Sequence, residues 1–513
     1  MAHPAAPAKA PTQGVGPANG KVGHGRVIHR RGVLREVQGE ARVHRECRRD
    51  QRSTLRQGHL PGLRHQGDPH PGQGLSTRDT PSTAHGIGVA SRLVDSRQSN
   101  SPDVLDGVDP RQVVDAVERI TAIPSIGGTP AEITVQEFFA QAWTDDGFDV
   151  DTWLLDLPEL TGRADFPGME VDRSAGLGVL ARIPGAGPGP ATLLLGHTDV
   201  VPPGDLAAWH TDPFTPVVAD GRIIGRGTTD MKAGLVAAWF AARAVHTAGV
   251  ALAGDIYLAA VSGEEDGGLG TYALLDRLAT RGIDIAHCII PEPTDLDIVP
   301  ANGGALTFRL IVHGAATHAS RRSEGVSAIE KFAVALAALT ELEAVRNIDV
   351  DPLMRRWDIA YPLSIGTVQA GDWASTVPDL CVAEGRLGVA LDETPEQARA
   401  ALEHAVAALA DTDPWLAEHP IEVQWWGGQF APGRTDPAHP LVTSIAAAHE
   451  RVTGRAPAIY GGPYGSDLRL LVGAGIPTLQ YGPGDSAVAH APNEWVSIDD
   501  VLTCTRTIAG WLT

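Results

Sequence analysis

Residues 192–202 read Thr-Leu-Leu-Leu-Gly-His-Thr-Asp-Val-Val-Pro. Three leucines in a row, stopped by a glycine and a histidine, are the signature of a short strand buried on both faces with a polar carboxyl end. The same device recurs on either side. Leu177–Ile183, Ile256–Val261 and Cys288–Ile290 are largely apolar runs bounded by Gly, Pro or polar residues, and helical stretches at Lys232–His246 and Thr271–Ala279 separate them. Strands and helices in alternation predict an α/β sheet with helices on both faces and its chemistry at the polar strand ends. Regular structure is expected from Asp109-Pro110, a helix cap followed by proline at the first helical position, with Val113, Val114, Val117 and Ile120 at helical spacing.

After Asn302 the order changes to strand Ala305–Val312, helix Val326–Leu342, strands Leu363–Gln369 and Leu380–Val389, helix Pro395–Leu409 and strand Ile421–Trp425. That β-α-β-β-α-β order predicts an α+β module. Thr394, Pro395 and Gln397 form a capping box at the start of its second helix. The α/β character then returns with helix Leu441–Val452, a glycine-rich turn Gly461-Gly462-Pro463, strand Thr478–Tyr481 and a last helix from Asp499. The expected division is therefore a catalytic domain in two parts, 108–302 and 428–513, interrupted by a module at 303–427. A substrate cleft is expected between them.

The net charge of -21 is unevenly spread: residues 1–100 hold 16 Lys and Arg against 7 Asp and Glu, so all the acidic excess lies beyond them. Those hundred residues also carry 8 of the 19 histidines and no Phe, Trp or Tyr, and show no apolar periodicity. They cannot build a core, and residues 1–107 read as a disordered basic arm or as a segment upstream of a misplaced start. Without interleaved aromatics the arm makes a poor nucleic-acid binder, and the acidic remainder disfavours a nucleic-acid substrate. No apolar run approaches the ~18 residues of a membrane span. Cys47, Cys288, Cys381 and Cys504 lie far apart with no CxxC pair, which points away from a disulfide framework and toward a reducing cytoplasm.

Five short motifs carry the chemistry. His197 and Asp199 follow the opening strand; in extended backbone they point the same way, so Asp199 can accept a hydrogen bond from one ring nitrogen of His197. Alone, such a pair is usually a surface contact. Asp230 in Gly225-Arg226-Gly227-Thr228-Thr229-Asp230-Met231-Lys232 opens a helix, where it either caps or projects a carboxylate able to bridge two cations. Ser262-Gly263-Glu264-Glu265-Asp266 sets three carboxylates side by side, either a solvated acidic turn or a ligand beside a general base. Glu292 follows another strand, and His490 lies in Ala489-His490-Ala491-Pro492-Asn493-Glu494. Jointly these His and carboxylate donors suit two zinc ions sharing a carboxylate.

In this order the motifs HTDVVP, GRGTTDMKAG, SGEED, PEPT and AHAPNE resemble those of the zinc deacylases and exopeptidases that include acetylornithine deacetylase, succinyl-diaminopimelate desuccinylase, aminoacylase and the glutamate carboxypeptidase. The resemblance spans about residues 108–513. It implies an α/β fold, a mixed-sheet zinc-hydrolase catalytic domain carrying an inserted α+β, ferredoxin-like lid and dimerisation domain. It implies two Zn2+, for which Co2+ or Mn2+ can substitute, with His197 and Glu292 on one, Glu265 and His490 on the other, and Asp230 bridging. Asp199 then orients His197, and Glu264 is the general base. His318, in His313-Gly314-Ala315-Ala316-Thr317-His318, matches a histidine that reaches a neighbouring subunit's site in a homodimer and stabilises the oxyanion. Arg386 matches an arginine that grips a substrate carboxylate. Ser375, in Ser375-Thr376-Val377-Pro378, stands where several relatives have Asn, a shorter donor expected near the substrate. The implied activity is removal of an N-acyl group from an amino acid or similar small molecule, with dipeptidase or carboxypeptidase action as the alternative. A binding protein with a decayed site is a third reading, and the intact set of Glu264, Asp230 and His490 speaks against it.

Overall fold

The computed structural model describes residues 104–513, so the arm expected over 1–107 lies outside the described residues except for Val104–Gly107, a 3-10 turn whose Val104 and Leu105 pack on the core. The first helix, Pro110–Thr121, starts as the sequence requires: Asp109 accepts a hydrogen bond from the backbone N–H of Arg111. Among the described residues no helix is long and apolar enough to cross a membrane.

A nine-stranded mixed sheet forms the larger layer. Eight of its strands lie in the order Asp149–Leu154, Leu177–Ile183, Ile256–Val261, Ala191–His197, Ile285–Ile290, Thr478–Gln480, Ile298–Asn302 and Gly433–Arg434, and Ile459–Gly462 also pairs with Ile298–Asn302. The four central strands, from Ile256–Val261 to Thr478–Gln480, run parallel. Their alternating side chains fill two separate cores. Leu194, Ile256, Leu258 and Ala260 face one helical layer, while Leu193, Leu195, Tyr257, Ala259 and Val261 face the other. The run of leucines is thus a strand with no polar face because both faces are covered.

The second layer is a four-stranded antiparallel sheet in the order Leu363–Ala370, Leu380–Val389, Gly304–His313, Glu422–Phe430. This is the ferredoxin-like strand order. Helices Ala328–Arg346 and Pro395–Ala407 cover one face through Phe332, Leu339, Ala398 and Leu402, against Leu306, Phe308 and Leu310. The capping box at Thr394 and Gln397 is formed. The opposite face carries Thr307 and Arg386, which are register partners.

Three features differ from the sequence reading. Gly461 and Gly462 end a strand rather than make a turn, since the backbone from Ile459 pairs with Ile298–Asn302. Strand Asp149–Leu154, at the edge of the sheet, was hidden by polar residues. Helix Ala131–Asp145 has a weak apolar stripe but buries Val135, Phe139 and Trp143.

Candidate metal centre

The sheet collects the site. His197 is the last residue of its strand, Glu264 and Glu265 follow Val261, and Glu292 follows Ile290, all at the carboxyl ends of adjacent parallel strands. Asp230 and His490 are brought in by a small sheet in which Arg222–Ile224 pairs on one side with its hairpin partner Val217–Ala219 and on the other with Trp495–Ser497. The hairpin leads directly into the turn Thr228–Lys232, whose Asp230–Met231 peptide is cis.

The result is a compact cluster. His197 Nε2 lies 3.0 Å from Asp230 Oδ1 and 3.9 Å from Glu292 Oε1. His490 Nε2 lies 3.3 Å from Asp230 Oδ2 and 3.1 Å from Glu265 Oε2. Two groups of potential ligands follow, His197/Asp230/Glu292 and Asp230/Glu265/His490, each with its donor atoms within 4.8 Å of one another and both containing Asp230. Burial pushes the carboxyls of Glu264, Glu265 and Glu292 above their ordinary range, and neighbouring carboxylates add to it. Burial also acts on Asp230, but its hydrogen bonds with His197 and His490 hold it below. His490 is pushed up to about 11: burial opposes its charge, and contacts with Asp230 and Glu265 outweigh it. A partly buried set of carboxylates crowded enough to repel one another, with two imidazoles beside them, is relieved by positive charge and fits a pair of divalent cations.

Asp199 stands differently from the sequence expectation. His197 Nδ1 is 3.0 Å from the backbone carbonyl of Asp199, while the nearest carboxylate oxygen of Asp199 is 3.7 Å away. The carboxylate instead accepts the backbone N–H groups of Glu264 and Glu265, at 3.3 Å and 3.2 Å. A single fully buried residue therefore sets both the histidine and the acidic loop.

Glu494 and Arg226 have no role in the sequence reading. Glu494 is fully buried; one oxygen accepts the N–H groups of Thr229 (2.9 Å) and Asp230 (3.1 Å), and the other meets Arg226 Nη1 at 2.6 Å. Arg226 also donates to the carbonyl of His490 at 3.1 Å. This pair couples the two ligand loops. The only hint in the sequence is a lone arginine and a lone glutamate inside the two motifs. Beneath the turn, Lys232 is fully buried, donates to the carbonyls of Ile120 and Ile123, and is lowered to about 7 by burial.

The cluster forms the floor of a cavity of about 550 Å³, and the antiparallel sheet supplies the opposite wall with Ser364, Arg386 and Phe430. Glu264 lines it beside Tyr464 and Ser466. His318 and Ser375 do not line it. Both are exposed on a small ribbon in which Thr317–His318 pairs with Thr376–Val377, and the carbonyl of Ser375 accepts Ala319 N–H at 2.8 Å. Ser375 is thus not among the residues that line the cavity of its own chain.

Residues 193–513 match the model of Peptidase family M20/M25/M40. The chain is 32% identical to an N-formyl-4-amino-5-aminomethyl-2-methylpyrimidine deformylase of Bacillus subtilis (strain 168), over 62% of this chain and 78% of that protein. It is 28% identical to a succinyl-diaminopimelate desuccinylase of Bordetella parapertussis, over 76% of this chain and 94% of that protein. In structure it resembles an M20 family metallo-carboxypeptidase from Sulfolobus solfataricus, with a TM-score of 0.61 and 18% identity over 79% of this chain and 99% of that one.

Proposed function

Because the chain belongs to peptidase family M20/M25/M40, a family whose members related to it hydrolyse amide bonds, we propose that it is a zinc-dependent amidohydrolase releasing an N-acyl group from an amino acid or similar small molecule. The observation that carries this reading is the pair of ligand groups sharing Asp230, with Glu264 beside them on the floor of the cavity. His197 and Glu292 would hold one zinc, Glu265 and His490 the other, and Asp230 is common to both groups. Bound there, zinc would supply Lewis-acid chemistry, polarising the amide carbonyl and lowering the pKa of water from about 15.7 toward 7. Glu264, which lines the cavity but belongs to neither ligand group, takes the proton from the attacking water and returns it to the departing amine nitrogen. Asp199 holds Glu264 and Glu265 in place through their backbone N–H groups.

The test is amine release from a panel of N-formyl, N-acetyl and N-succinyl amines and amino acids with a few dipeptides. Chelation should abolish release and zinc should restore it. Zinc should also raise the thermal midpoint of the apoprotein, by about 2.7 kcal/mol of stabilisation at 100 times the dissociation constant. Preference for dipeptides across the panel would favour the exopeptidase reading, and zinc without effect on either readout would defeat both.

Residues 303–427 serve as lid and dimerisation module in this reading. Strand Leu363–Ala370 is a sheet edge with Val368 exposed, and helix Ala328–Arg346 exposes Ile329, Leu336 and Val345. A partner joined there would receive His318 and Ser375 at its own cavity. Light scattering should give twice the monomer mass; a strict monomer retires the role of His318 in a neighbouring site.

A further inference from the structure

Arg386 was expected to grip a substrate carboxylate, yet its charge is already answered. Its Nη2 lies 2.9 Å from Glu170 Oε1. The same oxygen accepts the Thr307 hydroxyl at 2.8 Å and the backbone N–H of Gly428 at 3.3 Å. Glu170 belongs to neither strand of the wall. It comes from the stretch between Leu157–Thr161 and Leu177–Ile183, and reaches across the cavity to the antiparallel sheet.

Its position is fixed by a buried network. Asp266, next in sequence to Glu265, accepts the N–H groups of Glu170 and Val171, both at 3.0 Å. Arg173 grips the two oxygens of Asp266 at 2.9 Å each and also pairs with Glu132. Arg173 and Glu132 are almost wholly buried, with side chains 2% and 6% exposed. The Glu170 backbone is therefore anchored through Asp266, and its carboxylate by Thr307 and Gly428, independently of Arg386.

A substrate carboxylate placed on Arg386 would share the guanidinium with Glu170 and gain less from it than from an unpaired arginine, since the charge is already partly answered and the two carboxylates repel. An amine, or a neutral polar ring, meets no such opposition. Phe430, almost wholly buried behind Arg386 with its ring 5.5 Å from the guanidinium, adds only a small apolar edge to the cavity. We propose that Glu170 is a specificity-determining residue that neutralises Arg386 and sets the cavity for N-acyl amines bearing no carboxylate beside the scissile amide. This rests on the amidohydrolase reading above.

The test uses two substrates that differ only by that carboxylate, benzylamine and phenylglycine, each carrying whichever acyl group the panel shows to be released fastest. Wild-type, zinc-loaded enzyme should favour the benzylamine derivative in kcat/KM. E170Q frees the guanidinium while keeping an acceptor for Thr307 and Gly428, and should shift the ratio toward the phenylglycine derivative by about tenfold or more. Adding Arg386→Gln should cancel the shift. Calorimetric binding of free benzylamine and phenylglycine gives the same ratio without turnover and should move with it. A wild-type preference for the carboxylate, or an E170Q variant that weakens both substrates equally, overturns the proposal. Absence of release from every member of the panel defeats the amidohydrolase reading instead, and the binding ratio then still decides the role of Glu170.

Discussion

Glu264→Gln lowers kcat on the best acyl substrate by about 10²–10⁴-fold, the contribution of a positioned general base, while the bound zinc remains the same. Both halves follow from the role proposed for Glu264. Glu264 is 8% exposed and lines the cavity, yet it belongs to neither group of potential ligands. Its backbone N–H is held by Asp199, so the amide side chain sits where the carboxylate did. Glutamine keeps the shape and removes only the ability to take a proton. Elemental analysis for zinc beside steady-state kinetics separates the effects. Wild-type turnover in this variant would remove Glu264 from the chemistry, and loss of zinc would make it a ligand.

Glu494→Ala costs about 3–5 kcal/mol of stability, because removing one member of a buried ion pair strands the other. Arg226 and Glu494 are both almost wholly buried, at 2% and 0% side-chain exposure. The substitution also leaves the N–H groups of Thr229 and Asp230 without their acceptor. The apoprotein should melt several degrees lower, and zinc affinity should fall because the Asp230 turn and the His490 loop lose their common anchor. Arg226→Met in the Glu494→Ala background should recover part of the stability, since no buried charge then stands alone. A thermal midpoint unchanged in the single variant would show that the pair carries no structural weight.

Much of this was legible because the relevant signals are local. The leucines of 193–195 declare a doubly covered strand, and three of the motifs place His197, Glu265 and Glu292 at the polar ends of such strands. Thr394, Pro395 and Gln397 announce their helix within four residues. What escaped depends on contacts between distant segments. Glu494 gains its meaning from Arg226, 268 residues away, and Glu170 from Arg386, 216 residues away. No pattern along the chain shows such partners. Asp199 misled for a different reason: the spacing allowed its carboxylate to face His197, and the backbone carbonyl took that place because the carboxylate had two N–H groups of the acidic loop to satisfy. The edge strand Asp149–Leu154 lacked an apolar pattern because an outer strand is only partly covered.

The placement of the antiparallel module between Glu292 and His490 imposes an order on how the chain matures during synthesis. His197, Asp230 and Glu292 all leave the ribosome before the module does, so the residues of one trio of donors are made early. The other trio waits for His490, and Glu494, which anchors the Asp230 turn, follows it. A nascent or truncated chain ending before His490 therefore carries the residues of one trio without the small sheet and the carboxylate that hold the Asp230 turn, since Glu494 and Trp495–Ser497 are missing as well.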